Sequence, residues 1–168
     1  MGALTEKEFL DLVTRHQKII HKVCRLFTAN PDDHADLFQE ITIKLWLGYQ
    51  SYLGTSSFTT WMYRVALNTA ISMKRKEKIF QNTQPLSPHL DAPEEDEPVT
   101  DYEINLLYQA IGQLDPIERA IILLYLEEKS YQEIGEIMGI TKSHVGVKLV
   151  RTKKKLESLM KETDVLGT

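Results

Sequence analysis

The chain has 168 residues, 42% of them hydrophobic, with one cysteine, a size that admits one ordinary core or two small ones and excludes an internal disulfide. No apolar run approaches the roughly 20 residues of a membrane span, and Gly2-Ala3-Leu4-Thr5 lacks the basic-then-apolar pattern of an export signal, so a cytoplasmic protein without membrane insertion is expected. The net charge of -4 does not exclude a nucleic-acid partner, because residues 1–78 carry 11 basic against 8 acidic side chains, residues 79–103 none against 7, and residues 104–168 nine of each.

In chain order, Thr5 and Glu8 stand at capping-box spacing, and Phe9, Val13, Ile20, Val23 and Phe27 follow along one face, which predicts a single long helix. Asn30 as N-cap, Pro31 at the first helical position and Asp32 and Asp33 at the positive end of the dipole announce a second helix, running to about Tyr49. Gly54, Thr55, Ser56 and Ser57 form a turn. Phe58, Trp61, Met62, Val65 and Thr69 then mark a third helix with a basic end at Lys74, Arg75, Lys76 and Lys78. Residues 81–99 hold four prolines and five acids, with only two leucines and a valine to bury, so they read as an acidic Pro-rich linker.

Beyond it, Thr100 and Glu103 form another capping box ahead of Ile104, Leu107, Ile111 and Leu114. Asp115, Pro116 and Glu118 open a helix through Ile121 and Leu124, Ser130 and Glu133 cap a short one to Met138, and Thr141 caps a last helix that passes Leu159. The expected fold class is all-α: two small helical domains, one of three helices over residues 1–80 and one of four short helices over 100–168, joined by the linker.

The strongest local signal lies over residues 131–149: a short capped helix, Gly139 where the chain turns, and a second capped helix. Gly135 suits the crossing of two helices, and Ile134, Ile140, Val145 and Leu149 supply the core between them, which reads as a helix-turn-helix. With Val145, Leu149 and Leu156 inward, His144, Val147, Lys148 and Arg151 face outward. Lys148 and Arg151 suit phosphate or a guanine edge, Ser143 and His144 donate hydrogen bonds near the helix start, and Val147 suits a thymine methyl; Lys153, Lys154 and Lys155 add phosphate charge. A plainer reading is a trihelical protein-binding module whose lysines complement the helix C-terminus. Gly146 lowers helix propensity and suggests close backbone approach.

In the first domain, Ala35, Phe38, Ile41 and Leu45 are expected to face the core. Asp36, Gln39, Glu40, Ile43 and Trp46 then form a second stripe mixing polar and large apolar groups, as protein interfaces do. The run Asp36-Leu37-Phe38-Gln39-Glu40 with Thr42, Ile43 and Trp46 resembles the segment by which bacterial sigma factors dock on the clamp helices of the polymerase largest subunit. Residues Ser57-Phe58-Thr59-Thr60-Trp61-Met62-Tyr63-Arg64-Val65-Ala66-Leu67-Asn68 resemble the same family's helix for the -10 element. With Leu114-Asp115-Pro116-Ile117-Glu118-Arg119 and the helix-turn-helix, nearly the whole chain resembles the extracytoplasmic-function subfamily of the sigma-70 family.

The resemblance implies a first domain, sigma region 2, that binds core RNA polymerase through Asp36, Gln39, Glu40, Ile43 and Trp46 and opens promoter DNA at the -10 element. Gly54, Ser56, Ser57, Thr60, Arg64, Asn68, Lys74 and Arg75 are its expected DNA residues, holding extruded bases and phosphates. Phe58, Trp61 and Val65 are expected in the core rather than as stacking platforms. The second domain, sigma region 4, is implied to read the -35 element through Lys142, Ser143, His144, Val147, Lys148, Arg151 and Lys153. An anti-sigma partner is also implied. His144 and Gly146 depart from the family's usual residues, so the -35 sequence is not carried over, and loop residues 52–57 vary within the family, so the -10 sequence is not carried over either. The main rival is a dimeric helix-turn-helix regulator of a palindromic operator. An enzyme is disfavoured: there is no phosphate loop, nucleophile and base pair or metal-ligand constellation, and no metal or cofactor is expected. Cys24 reads as a small core residue.

Overall fold

The computed structural model describes residues 6–52, 54–81 and 102–166. The caps expected of Thr5 and Thr100, and nearly all of the linker, lie outside these residues. The chain divides into two compact units, Met1–Pro93 and Glu94–Thr168, and the described residues contain helices and no strand.

Among its described residues the first unit holds α1 (Glu6–Arg15), α2 (Gln17–Phe27), α3 (Pro31–Tyr49) and α4 (Phe58–Gln81), four helices rather than three. The expected long first helix breaks at His16. A straight helix would carry the inward face from Val13 to polar His16 and Gln17; instead Gln17 is exposed, and the His16 ring packs against Phe58 with centroids 5.6 Å apart. The Ile19 amide then bonds the His16 carbonyl at 3.0 Å, a tightened turn that starts α2 in a new direction. α4 lies across α2 and α3, burying Met62, Ala66, Leu67 and Ala70 against Ile20, Val23, Phe27, Ile41 and Leu45. Cys24 is wholly buried there, and burial pushes its thiol up to about 12, so it serves as a core side chain.

The second unit holds α5 (Tyr102–Gly112), α6 (Pro116–Leu126), α7 (Tyr131–Met138) and α8 (Lys142–Leu166). The last is 25 residues long, not short, and α5, α6 and α7 all pack on it. Ile111, Leu114, Ile121 and Leu124 fill the core, whereas Ile104, expected inward, is exposed. Ser130 and Glu133 form a complete capping box on α7. Gly139 ends that helix with φ 72°, and the amides of Gly139 and Ile140 both bond the Gly135 carbonyl, at 2.8 and 3.0 Å. A Cβ on Gly135 would stand 2.6 Å from the Ile140 carbonyl oxygen, so the turn between α7 and α8 closes only over a glycine.

Asp115 caps α6 by accepting the Glu118 amide at 2.8 Å, while Glu118 Oε1 accepts the Asp115 amide at 3.2 Å and Lys155 Nζ of α8 at 3.0 Å. Burial raises the Asp115 carboxyl, but the hydrogen bonds from Glu118 and Ile117 and the charge of Lys155 outweigh it and leave it below its ordinary value. Because the folded value lies below the unfolded one, this stabilisation is complete above the unfolded value near 3.8 and is lost as pH falls through the folded value.

Two stability measurements check these features. Gly135→Ala should destabilise the second unit by about 1–3 kcal/mol, the cost of forcing a methyl against backbone; an unchanged unfolding midpoint would mean that the turn relaxes freely. Asp115→Ala should lose about 1 kcal/mol at neutral pH, and its deficit in denaturant unfolding should narrow as the pH is taken below 3.8. A deficit of constant size across that range would contradict the electrostatic part.

Candidate nucleic-acid and protein interfaces

The rotation of α3 is set at its start, where Asn30 Oδ1 accepts the Asp33 amide at 2.8 Å and its Nδ2 donates to Asp33 Oδ2 at 2.9 Å. Leu37, Ile41, Leu45 and Tyr49 then recur every fourth residue and are buried. Ile41 and Leu45 are inward as expected, but the other two positions are corrected: Ala35 is exposed, and Phe38 is half-buried, stacked on His21 at 4.7 Å. Asp36, Gln39, Glu40 and Ile43 are exposed together on the opposite side, as expected. Trp46 sits at the edge of that side, half-buried and edge-on to Phe9 with centroids 5.0 Å apart. The structure adds Leu47, which is 70% exposed, to the same strip as Ile43, 46% exposed. Its spacing of four from Ile43 was the signal for it. The strip is acidic toward the start of the helix and aliphatic toward its end.

The connection from α3 to α4 rests on rings. The Tyr52 ring lies tilted against Trp61 with centroids 5.0 Å apart, Phe58 lies 5.7 Å from Trp61, and Tyr49 reaches both Phe58 and Trp61. The Tyr52 hydroxyl donates to the Ser56 carbonyl, bracing the turn from within. Gly54 turns with φ 73° and is exposed. Ser57 starts α4: its Oγ accepts the Thr60 amide at 3.2 Å and donates to Thr60 Oγ1 at 2.8 Å. Thr60 is therefore taken up by the cap and only 7% exposed, which corrects its expected outward position. Phe58, Trp61 and Val65 are half-buried, packed on one side and reachable on the other.

Along α4, Arg64, Asn68 and Arg75 share a strip, with Asn68 and Arg75 exposed and Arg64 partly so. Lys74 lies on a different side and pairs with Glu77 at 3.1 Å.

On α8, Thr141 Oγ1 accepts the His144 amide at 3.1 Å, the expected cap, and Val145, Leu149 and Thr152 face inward. Lys142, Ser143, His144, Val147 and Arg151 are exposed, and Lys148 is half-buried at the margin. The run of three lysines divides. Lys153 lies over the Tyr125 ring of α6, 3.9 Å from its centroid, and Lys155 is bound to Glu118, which leaves Lys154 on the outward side with Arg151. Sequence spacing missed Val150 and Tyr131, which border that side. Among the described residues no His, Cys, Asp and Glu cluster of three or more could hold a metal, and no helix is long and apolar enough to cross a membrane.

Two units whose described residues form only helices, one ending in a helix-turn-helix with an outward basic and apolar strip and the other presenting an acidic-aliphatic strip, have the architecture of a two-module DNA-binding protein. The sequence matches Sigma-70 region 2 over residues 12–79 and Sigma-70 region 4 over residues 104–156. It is 30% identical over 169 residues to the ECF RNA polymerase sigma-E factor of Haemophilus influenzae, covering 91% of this chain and 87% of that one. It is 28% identical over 167 residues to the ECF RNA polymerase sigma factor SigW of Bacillus subtilis, covering 92% and 89%. The chain belongs to the ECF sigma factors of the sigma-70 family, promoter-directing transcription initiation factors that are not enzymes.

Solved structures share the fold. CnrH in complex with the cytosolic domain of CnrY matches with a TM-score of 0.68 at 20% identity, over 94% of this chain and 90% of that one. The sigma factor RpoE of Bartonella quintana, in complex with the anti-sigma factor NepR, matches at 0.69 and 18%, over 92% and 98%.

Proposed function

We propose that the first unit, about residues 1–80, docks on core RNA polymerase through Asp36, Gln39, Glu40, Ile43 and Trp46, with Leu47 added, and opens DNA at the -10 element. The second unit, about residues 100–168, reads the -35 element as duplex. The observation that carries this reading is the separation of surfaces: α3 offers acids and aliphatics to a protein, whereas α4 and α8 offer cations and hydrogen-bonding groups to DNA. Gly54, Ser56 and Ser57 form the turn for an extruded base, Arg64 and Asn68 line the helix beside it, and Lys74 and Arg75 meet phosphates. On α8, Lys142, Ser143, His144, Val147, Lys148 and Arg151 face the major groove, and of the three lysines given a phosphate role Lys154 is the one on that side, with Lys153 resting on the Tyr125 ring beside it. The acidic residues 81–99 tether the two units.

The chain acts in the cytoplasm, without membrane insertion, metal, cofactor or catalysis of its own. RpoE binds an anti-sigma factor in its solved complex, and this chain is expected to be held in check by a partner of the same kind. A dimeric operator-binding regulator accounts for α8 but leaves the α3 strip without a role.

Run-off transcription with purified core enzyme and a promoter library tests class and specificity together; absence of any directed initiation would overturn the reading. Arg151→Ala should weaken upstream binding about ten-fold and flatten its salt dependence. Asp36→Ala with Gln39→Ala should reduce core association while DNA recognition by the second unit stays intact. Equal loss of both activities in either variant would contradict the division.

A further inference from the structure

The outward side of α8 holds more than cations. Val147 and Val150 remain 49% and 55% exposed, and with Gly146 and the Tyr131 ring they floor an open depression that has Arg151 and Lys154 on its rim. No carboxylate lines it. Two β-branched aliphatics left in water forgo the stabilisation that burial would bring. Gly146 adds a second cost, about 1 kcal/mol of helix propensity relative to alanine. Packing does not require that glycine: a Cβ at 146 would lie 3.6 Å from Tyr131 Cε2, an ordinary contact, whereas at Gly135 it would collide with backbone. A side chain at 146 would occupy space beside Tyr131 that the glycine leaves empty.

The geometry points to this depression as a reader of a thymine methyl, with Gly146 and Val150 as specificity-determining residues beside Val147. In the major groove the C5-methyl of thymine is the one apolar group that distinguishes a base pair. Here it finds an apolar floor, while the rim cations match the polyanion that carries it. Cytosine leaves the floor unfilled, and a purine edge brings polar atoms onto it. A side chain at 146 makes the floor shallower and so removes the discrimination. This assignment rests on the promoter-reading role proposed for α8.

The test uses the full chain with core polymerase and an upstream element taken from library selection, in which each thymine is replaced singly by deoxyuridine, a change that removes only the methyl. At one or two positions binding should weaken about four-fold, the size of one buried methyl. Gly146→Ala should keep or raise the unfolding midpoint and bring the thymine-to-deoxyuridine ratio at those positions toward one. A selected element without thymine, deoxyuridine without effect at every position, or an unaltered ratio in Gly146→Ala would overturn the assignment. A lowered midpoint in that variant would return the glycine to a packing role and overturn it too. If deoxyuridine has no effect while Arg151→Ala still weakens binding, the methyl reader falls and promoter reading stands. If core enzyme confers no binding to the unsubstituted duplex, promoter reading itself falls.

Discussion

Val145 and Leu149 are fully buried beneath the helices that pack on α8, and the outer surface of the second unit follows from that burial. At 3.6 residues per turn, an inward face at positions 145, 149 and 152 leaves 143, 147, 150, 151 and 154 outside. A rotation by one residue would turn the helix by about 100° and bury part of that set. Gly135 and Gly139 fix the approach of α7, which brings Tyr131 alongside α8 and makes the strip a depression rather than a bare ridge. α4 obeys the same constraint in the first unit. Met62, Ala66 and Ala70 lie inside, so Arg64, Asn68 and Arg75 come out together.

Where a feature depends on residues within one turn of chain, the sequence alone sufficed to place it. Asn30 with Asp33, Asp115 with Glu118, Ser130 with Glu133 and the left-handed Gly139 are local bonds or dihedrals, and each helix end they mark lies where it was expected. The break at His16 was not legible, because the ring against it, Phe58, arrives from another helix. The inward face of α3 was placed rightly at Ile41 and Leu45 but wrongly at Ala35 and Phe38, for a related reason. With Leu37, Phe38, Ile41, Ile43, Leu45, Trp46 and Leu47 in one helix, two apolar faces are available, and packing of α2 and α4 against it selects the one through Leu37.

Side-chain roles were less legible than faces. A threonine in a helix's first turn reads alike whether its hydroxyl points to solvent or closes a cap, and Thr60 does the latter. Three consecutive lysines read as one cluster of charge. Long flexible stems let Lys153 reach the Tyr125 ring and Lys155 reach Glu118, so their charge is directed back onto α6. Those contacts join residues far apart in the chain.

That division of the lysines bears on how the protein finds DNA. Affinity for duplex rises with the number of phosphates neutralised and falls with salt by a slope of roughly 0.9 per phosphate. With Lys153 held over the Tyr125 ring and Lys155 bound to Glu118, and with a net charge of -4 over the chain, α8 brings Lys142, Lys148, Arg151 and Lys154 to the groove and fewer cations than its sequence holds. On the proposed reading, few phosphate contacts mean weak binding by the second unit alone. The first unit, read as opening DNA rather than gripping duplex, adds little to a closed helix. Affinity must then come from holding both units on one surface, where each raises the effective concentration of the other. A chain richer in outward lysines would occupy random DNA without polymerase, and its choice of promoter would be diluted by the excess of non-specific sites.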